Sequence, residues 1–203
     1  MARSPTSIVA AGWLIAAGLL LPAIAAAAPV TVIVKGPDGR PLADAVVSVE
    51  VPGGPVAVPR GSYMVQQRDI AFEPHVLVVP VGASVGFPNR DKVRHHVYSF
   101  SKPRKFDLKL YGRDDQRAVT FDKPGVVALG CNIHDQMSGF VYVTTTPYAG
   151  VTDAAGRVAL TGVPTGVVTL RVWHPSIRAA GNMLAQPKTI AAAGLATTVA
   201  IQR

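Results

Sequence analysis

The sequence predicts an all-β protein. Apolar residues make up 49% of the 203 positions and charged ones only 16%, and much of the apolar content is valine in strict alternation, the period of a strand. The 19 glycines and 17 prolines gather between the alternating runs, where they punctuate turns. After residue 28 no stretch carries the spacing of an amphipathic helix. A chain of this length suits one large or two small domains.

Residues 1–27 read as a secretory signal peptide. Arg3 supplies the positive end, Ile8 to Leu21 the apolar core, and Ala25-Ala26-Ala27 the small-residue cleavage site. Pro29 disfavours cutting just before it, which places the cut after Ala27. The competing reading is an uncleaved anchor, since the apolar run nears spanning length. Pro22 and the alanine-rich end argue against it. The expectation is a periplasmic protein with no stable membrane insertion after cleavage. Loss of Arg3 lowers the formal charge by one from +8. That charge raises nucleic acid as a partner, but export and the absence of a stacking or groove-reading motif exclude it.

Residues 28–52 form one β unit. Val30, Val32 and Val34 alternate with Thr31, Ile33 and Lys35; Pro37-Asp38-Gly39 turns; Ala45, Val47, Val49 and Val51 alternate again. Pro52-Gly53-Gly54-Pro55 reads as a linker. Residues 56–146 are a second unit. Its strand candidates are Val76–Val79, Ser84–Phe87, His95–Phe100, Phe106–Leu110, Arg117–Phe121, Val126–Leu129 and Phe140–Val143. That count suits a Greek-key sandwich. Residues 147–203 return to simple strands around Val158–Leu160, Val167–Val172 and Leu195–Ile201. Two strands alone are marginal in water, so residues 28–52 are expected to join 147–203, with the middle unit inserted between them. The alternative is that the first strands extend the middle unit's edge.

The chemistry concentrates in Cys131-Asn132-Ile133-His134-Asp135-Gln136-Met137, which holds the chain's single cysteine. A lone buried cysteine is often only a small hydrophobe. Here thiol, imidazole and thioether stand at i, i+3 and i+6 on one short loop. Soft sulfur beside imidazole suits copper, and two His, one Cys and a weak axial Met form the blue-copper set. The second His must come from elsewhere, and His95 and His96 are the candidates. Structural zinc favours four strong Cys or His ligands, which one cysteine and a thioether do not supply. A disulfide within the chain is excluded by count. A cysteine nucleophile could use His134 as base, but that leaves Met137 and the histidine pair unexplained. His75 and His174 lack companions and read as structural; Met64 reads as packing.

Over residues 72–143 the chain resembles the cupredoxins. Cys131-x2-His134-x2-Met137 is similar to the short ligand loop of amicyanin, and Phe72-Glu73-Pro74 with Val81-Gly82-x2-Val85-x-Phe87-x-Asn89-x-Asp91 is similar to the run before the first His ligand. The loop wording also looks like bacterial proteins labelled methylamine utilisation protein. The resemblance implies one copper ion held by His95, Cys131, His134 and Met137, with His134 at an exposed edge ringed by apolar residues. It implies an electron carrier and not an enzyme, working with redox partner proteins. The family's usual His-Asn-Val reads His95-His96-Val97 here. Alternation along a strand lets only one of the pair face the metal, and the alignment favours His95. His96 then hydrogen-bonds the ligand loop or sits exposed. A copper carrier or store without fast redox turnover is the alternative function. An oxidase would need further clusters of His-x-His type, which the sequence lacks.

Gly36-x-Asp38-Gly39-x-Pro41-Leu42-Ala43-x-Ala45-x-Val47 and Thr152-Asp153-x2-Gly156-Arg157…Val163-Pro164-x-Gly166 resemble the two halves of carboxypeptidase regulatory-like domains. Arg90, Lys92, Arg94, Lys102, Arg104 and Lys105 flank the histidine pair. They are either solvated loops or a docking face for a partner with an acidic surface.

Overall fold

The computed structural model describes residues 27–202. Apart from Ala27, the expected signal peptide lies outside the described residues. No helix among the described residues is long and apolar enough to cross a membrane. Apart from one short 3-10 turn at Ala180–Asn182, the regular structure among the described residues is seventeen strands.

Two strands come first: β1 (Ala27–Lys35) and β2 (Val46–Glu50). Ten follow in the middle of the chain: β3 (Tyr63–Met64), β4 (Gln66–Arg68), β5 (Ala71–Glu73), β6 (Val76–Pro80), β7 (Ala83–Gly86), β8 (His95–Ser99), β9 (Phe106–Tyr111), β10 (Ala118–Phe121), β11 (Gly125–Gly130) and β12 (Ser138–Thr144). The last five are β13 (Ala149–Val151), β14 (Arg157–Pro164), β15 (Gly166–Trp173), β16 (Met183–Ile190) and β17 (Leu195–Ala200).

The first and last groups build one sandwich. β1 lies between β14 and β17, and β2 between β13 and β15, with β16 on the open edge. Each N-terminal strand is therefore central in a different sheet and completed by strands more than 100 residues later. The alternation of β1 buries Val30, Val32 and Val34 completely, against Val47, Val168, Leu170 and Val199. Burying a valine or leucine side chain contributes about 1.5–3 kcal/mol, so this core holds the two halves together. Gly156 has φ 68°, and a Cβ there would sit 2.4 Å from the Val34 carbonyl oxygen. That turn thus requires glycine to close against β1.

The middle strands build the second sandwich: β6-β12-β11-β8-β9 faces β10-β7-β3, with the β4–β5 hairpin beside them. Its core holds Val85, Phe87, Val97, Phe121, Val127 and Val141. It contains neither Val32 nor Val47. The chain leaves the outer sandwich after β2 and re-enters at β13, which pairs with β2 at Ala149↔Ser48. The Ala57 amide donates to the Thr145 carbonyl at 2.7 Å, so exit and return run side by side. The fold is thus one β-sandwich inserted into a second, smaller one.

The two sandwiches share a third cluster. Val46 and Trp173 of the outer unit pack with Val76 and Tyr142 of the inner one. Phe140 and Trp173 meet edge to face with ring centroids 5.1 Å apart. Both faces of β2 are therefore covered, and Val46 and Ser48 are buried together with Val47 and Val49. Met64, expected to be packing, is 52% exposed.

Candidate metal centre

Strand alternation sets the upstream half of the site. On β8, His95, Val97 and Ser99 point inward and are buried, while His96 and Tyr98 on the other face are half-buried. His95 is fully buried. His96 turns away and pairs through Nε2 with Asp107 Oδ1 of β9 at 2.5 Å. It makes no hydrogen bond to the ligand loop, one of the two placements expected for it, and it is half-buried rather than exposed, the other. The Lys109 ammonium and the His96 ring hold the Asp107 carboxyl well below the usual carboxylate range.

Cys131 directly follows β11, and its loop folds back so that the Met137 amide donates to the His134 carbonyl at 2.9 Å. Cys131 and Met137 are buried in the inner core, and His134 is half-buried. The donor atoms of His95, Cys131 and His134 lie within 4.8 Å of one another. Cys131 Sγ stands 3.8 Å from His134 Nδ1, within the about 4.3 Å that one metal–sulfur and one metal–nitrogen bond can span together. The His95 and His134 ring centroids are 5.0 Å apart.

The decisive local detail is the two nitrogens of His95. Nε2 donates to Asp91 Oδ2 at 2.7 Å. Nδ1 is buried without any hydrogen-bond partner. Buried polar atoms rarely stay unpaired, and an imidazole whose outer N–H is fixed by a carboxylate presents its other nitrogen as a lone pair. A lone pair beside a thiol and a second imidazole fits a soft transition-metal ion.

Asp91, in the run before His95, supplies that carboxylate. Its carboxylate also accepts from the amides of Asp69 at 2.8 Å and Ile70 at 3.1 Å. Those residues turn the β4–β5 hairpin with φ 51° and 57°, as a two-residue type I′ turn demands. Such angles are unusual for a β-branched residue. Burial opposes ionisation of Asp91, but the His95 ring and the two amides outweigh it and lower its carboxyl below the usual range. Asn89, fully buried, braces the same loop: its Nδ2 donates to the Val93 and Tyr111 carbonyls, and its Oδ1 accepts from the Asp91 amide. Tyr111 is likewise fully buried and donates to the Phe87 carbonyl at 2.7 Å. Burial pushes its phenol well up.

The loop rim is more polar than the resemblance implied. Ile133 is exposed, but Asn132, Asp135 and Gln136 are exposed beside it. The basic residues split into two groups. Arg90 and Lys92 line a surface hollow with Arg113, Ile70 and Asp91, whereas Lys102, Arg104 and Lys105 follow the end of β8. His75 Nδ1 lies 3.1 Å from the Ser138 carbonyl, and His174 Nδ1 2.6 Å from the Ser176 hydroxyl. Neither joins the donor cluster.

No family model matches the chain. No curated protein matches it either. Among solved structures it is similar to a Cu-containing nitrite reductase from Thermus scotoductus at 30% identity and a TM-score of 0.41, over 46% of this chain and 26% of that one. The chain thus spans about a quarter of that reductase. It is also similar to a purple cupredoxin from Nitrosopumilus maritimus (23% identity, TM-score 0.38, 41% of this chain and 100% of that one). A reduced point mutant of amicyanin shares 23% identity at a TM-score of 0.39, over 48% of this chain and 98% of that one.

Proposed function

We propose that this protein binds one copper ion through His95, Cys131, His134 and Met137 and carries single electrons between redox partners in the periplasm. The observation that carries the reading is the unpartnered, buried His95 Nδ1 beside Cys131 and His134. Copper, when bound, supplies a one-electron couple. The chain's residues do the rest. Asp91 fixes the His95 ring in the tautomer whose Nδ1 is free to ligate. Cys131 gives up its thiol proton on loading, so affinity rises with pH. Met137, buried in the core beside the loop, would offer a weak thioether sulfur that tunes the potential of bound copper. The two packed sheets hold these groups in one arrangement for both oxidation states, so little rearrangement opposes transfer. His134, half-buried, is the site's solvent edge.

The unit over residues 56–146 is read as the redox module, and the segments 28–52 and 147–203 as a regulatory-like sandwich that carries it. The excess of positive charge favours partners with acidic surfaces. Voltammetry of the copper-loaded protein tests the reading. A reversible one-electron wave is expected; copper bound without such a wave would instead mean a carrier or store.

A further inference from the structure

The outward face of the five-stranded sheet is only half covered. Phe140 and Tyr142 on β12 pack against Trp173 of the outer sandwich, and Val126 on β11 packs against the same cluster. The same face continues through Gly130, which pairs with Ser138 on one side and with Tyr98 of β8 on the other. Beyond it the face is bare: Phe100 is 79% exposed, the most exposed large apolar side chain among the described residues.

This bare half is aromatic and leads to the site. His96 and Tyr98 have ring centroids 5.6 Å apart, and Tyr98 and Phe100 5.1 Å apart. Tyr98 lies directly on Gly130: a Cβ there would come within 2.8 Å of the tyrosine Cζ. Gly130 is the residue before Cys131. Contact therefore runs unbroken from an exposed phenylalanine ring, through a half-buried tyrosine, to the backbone next to the thiol. A shallow cleft of about 350 Å³ separates Phe100 from Ala128–Gly130.

The surroundings are basic. Lys102, Arg104 and Lys105 follow Phe100 directly. Among the described residues Lys102 and Lys105 pair with no carboxylate, while Arg104 has Asp122 at 3.9 Å. The ligand loop, by contrast, exposes Asp135 beside His134, which repels an anionic partner.

We propose that this face is a lateral docking surface for an acidic redox protein, with Phe100 as its apolar contact and Tyr98 on Gly130 as the route to Cys131. The proposal rests on the electron-carrier reading. The step exchanges one electron between the partner's centre and the site; no bond breaks and no proton moves.

Two experiments decide it. The first uses the isotope-labelled, copper-free protein with hexacyanochromate(III), an anionic paramagnetic probe. Broadening is expected at the amides of Phe100, Ser101, Lys102 and Lys105, and its loss in the Lys102→Glu/Lys105→Glu variant. Broadening confined to residues 132–136, or to Arg90 and Lys92, overturns the surface. The second follows oxidation of the Cu(I) protein by hexacyanoferrate(III). The double charge reversal should slow it about tenfold at low salt. Tyr98→Leu should slow it and Tyr98→Phe should not, with spectrum and potential unchanged in both. A Tyr98→Leu rate equal to wild type overturns the route. Failure of the carrier reading shows differently: no variant, nor the parent, then cycles, while the broadening map still reports where anions dock.

Discussion

Replacing Asp91 by Asn tests how the site is held. The carboxylate accepts three hydrogen bonds, from His95 Nε2 and from the Asp69 and Ile70 amides, at 2.7–3.1 Å. Asparagine keeps the shape but offers one acceptor oxygen and an amide that only donates. Turned with its oxygen to His95, it sets N–H against N–H at the hairpin and releases a turn held at unfavourable φ. Turned the other way, it drives His95 to the tautomer with a proton on Nδ1, the nitrogen proposed to ligate copper. Hydrogen bonds to charged groups contribute about 1.5–3 kcal/mol, and loss of the group that orients a ligating histidine typically costs about 10–100-fold in metal affinity. The expected result is a fall of that size, about 1.4–2.7 kcal/mol, in Cu(I) affinity measured by competition with a chromophoric chelator. The copper-free variant should also unfold at lower urea. Acid dependence follows in sign. The lowered Asp91 carboxyl contributes stability that is fully present above its ordinary value of 3.8 and is lost as pH falls through its folded value. The variant should lack that share of the acid-side decline. Affinity within twofold of wild type would refute the reasoning, because it would mean that Asp91 does not set the His95 tautomer.

Three further outcomes follow from the same geometry. His95→Gly should abolish tight copper binding, while His96→Gly should leave it and only loosen the β8–β9 edge by removing the Asp107 pair; copper titration of both variants checks this. Met137→Leu should still bind copper but with a raised potential, since a weak donor that favours Cu(II) is lost; each tenfold change in relative affinity reads as about 59 mV by voltammetry. A fragment of residues 56–146 should fold and bind copper alone but self-associate, because it bares Val76, Phe140 and Tyr142, which Trp173 covers in the whole protein; gel filtration and copper titration read both.

The strands most legible in the sequence are those long enough for alternation to show. β1 and β7 to β12 lie within a few residues of where alternation and turn residues put them. β16 escaped notice because Pro187 interrupts it, and proline demotes a strand reading. The structure puts it at the sheet's open edge, paired only with β15, where a missing N–H is tolerated. β3, β4 and β5 span two or three residues each, too short for any period to show. β2 reads as half-wet because nothing in Val46 or Ser48 announces that a second sandwich will cover them. At the site, the donor types and the Cys131 spacing stood out because they are chemically rare together. Asp91 did not, although it lies four residues before His95. A carboxylate on a turn is ordinary in sequence, and only the fold brings it to the imidazole.

The visible spectrum of the copper-loaded, oxidised protein tests the central claim most directly. The account predicts an intense thiolate-to-copper charge-transfer band in the parent and its disappearance in Cys131→Ser. A colourless copper-loaded parent, or a band that survives the loss of the thiol, would contradict it.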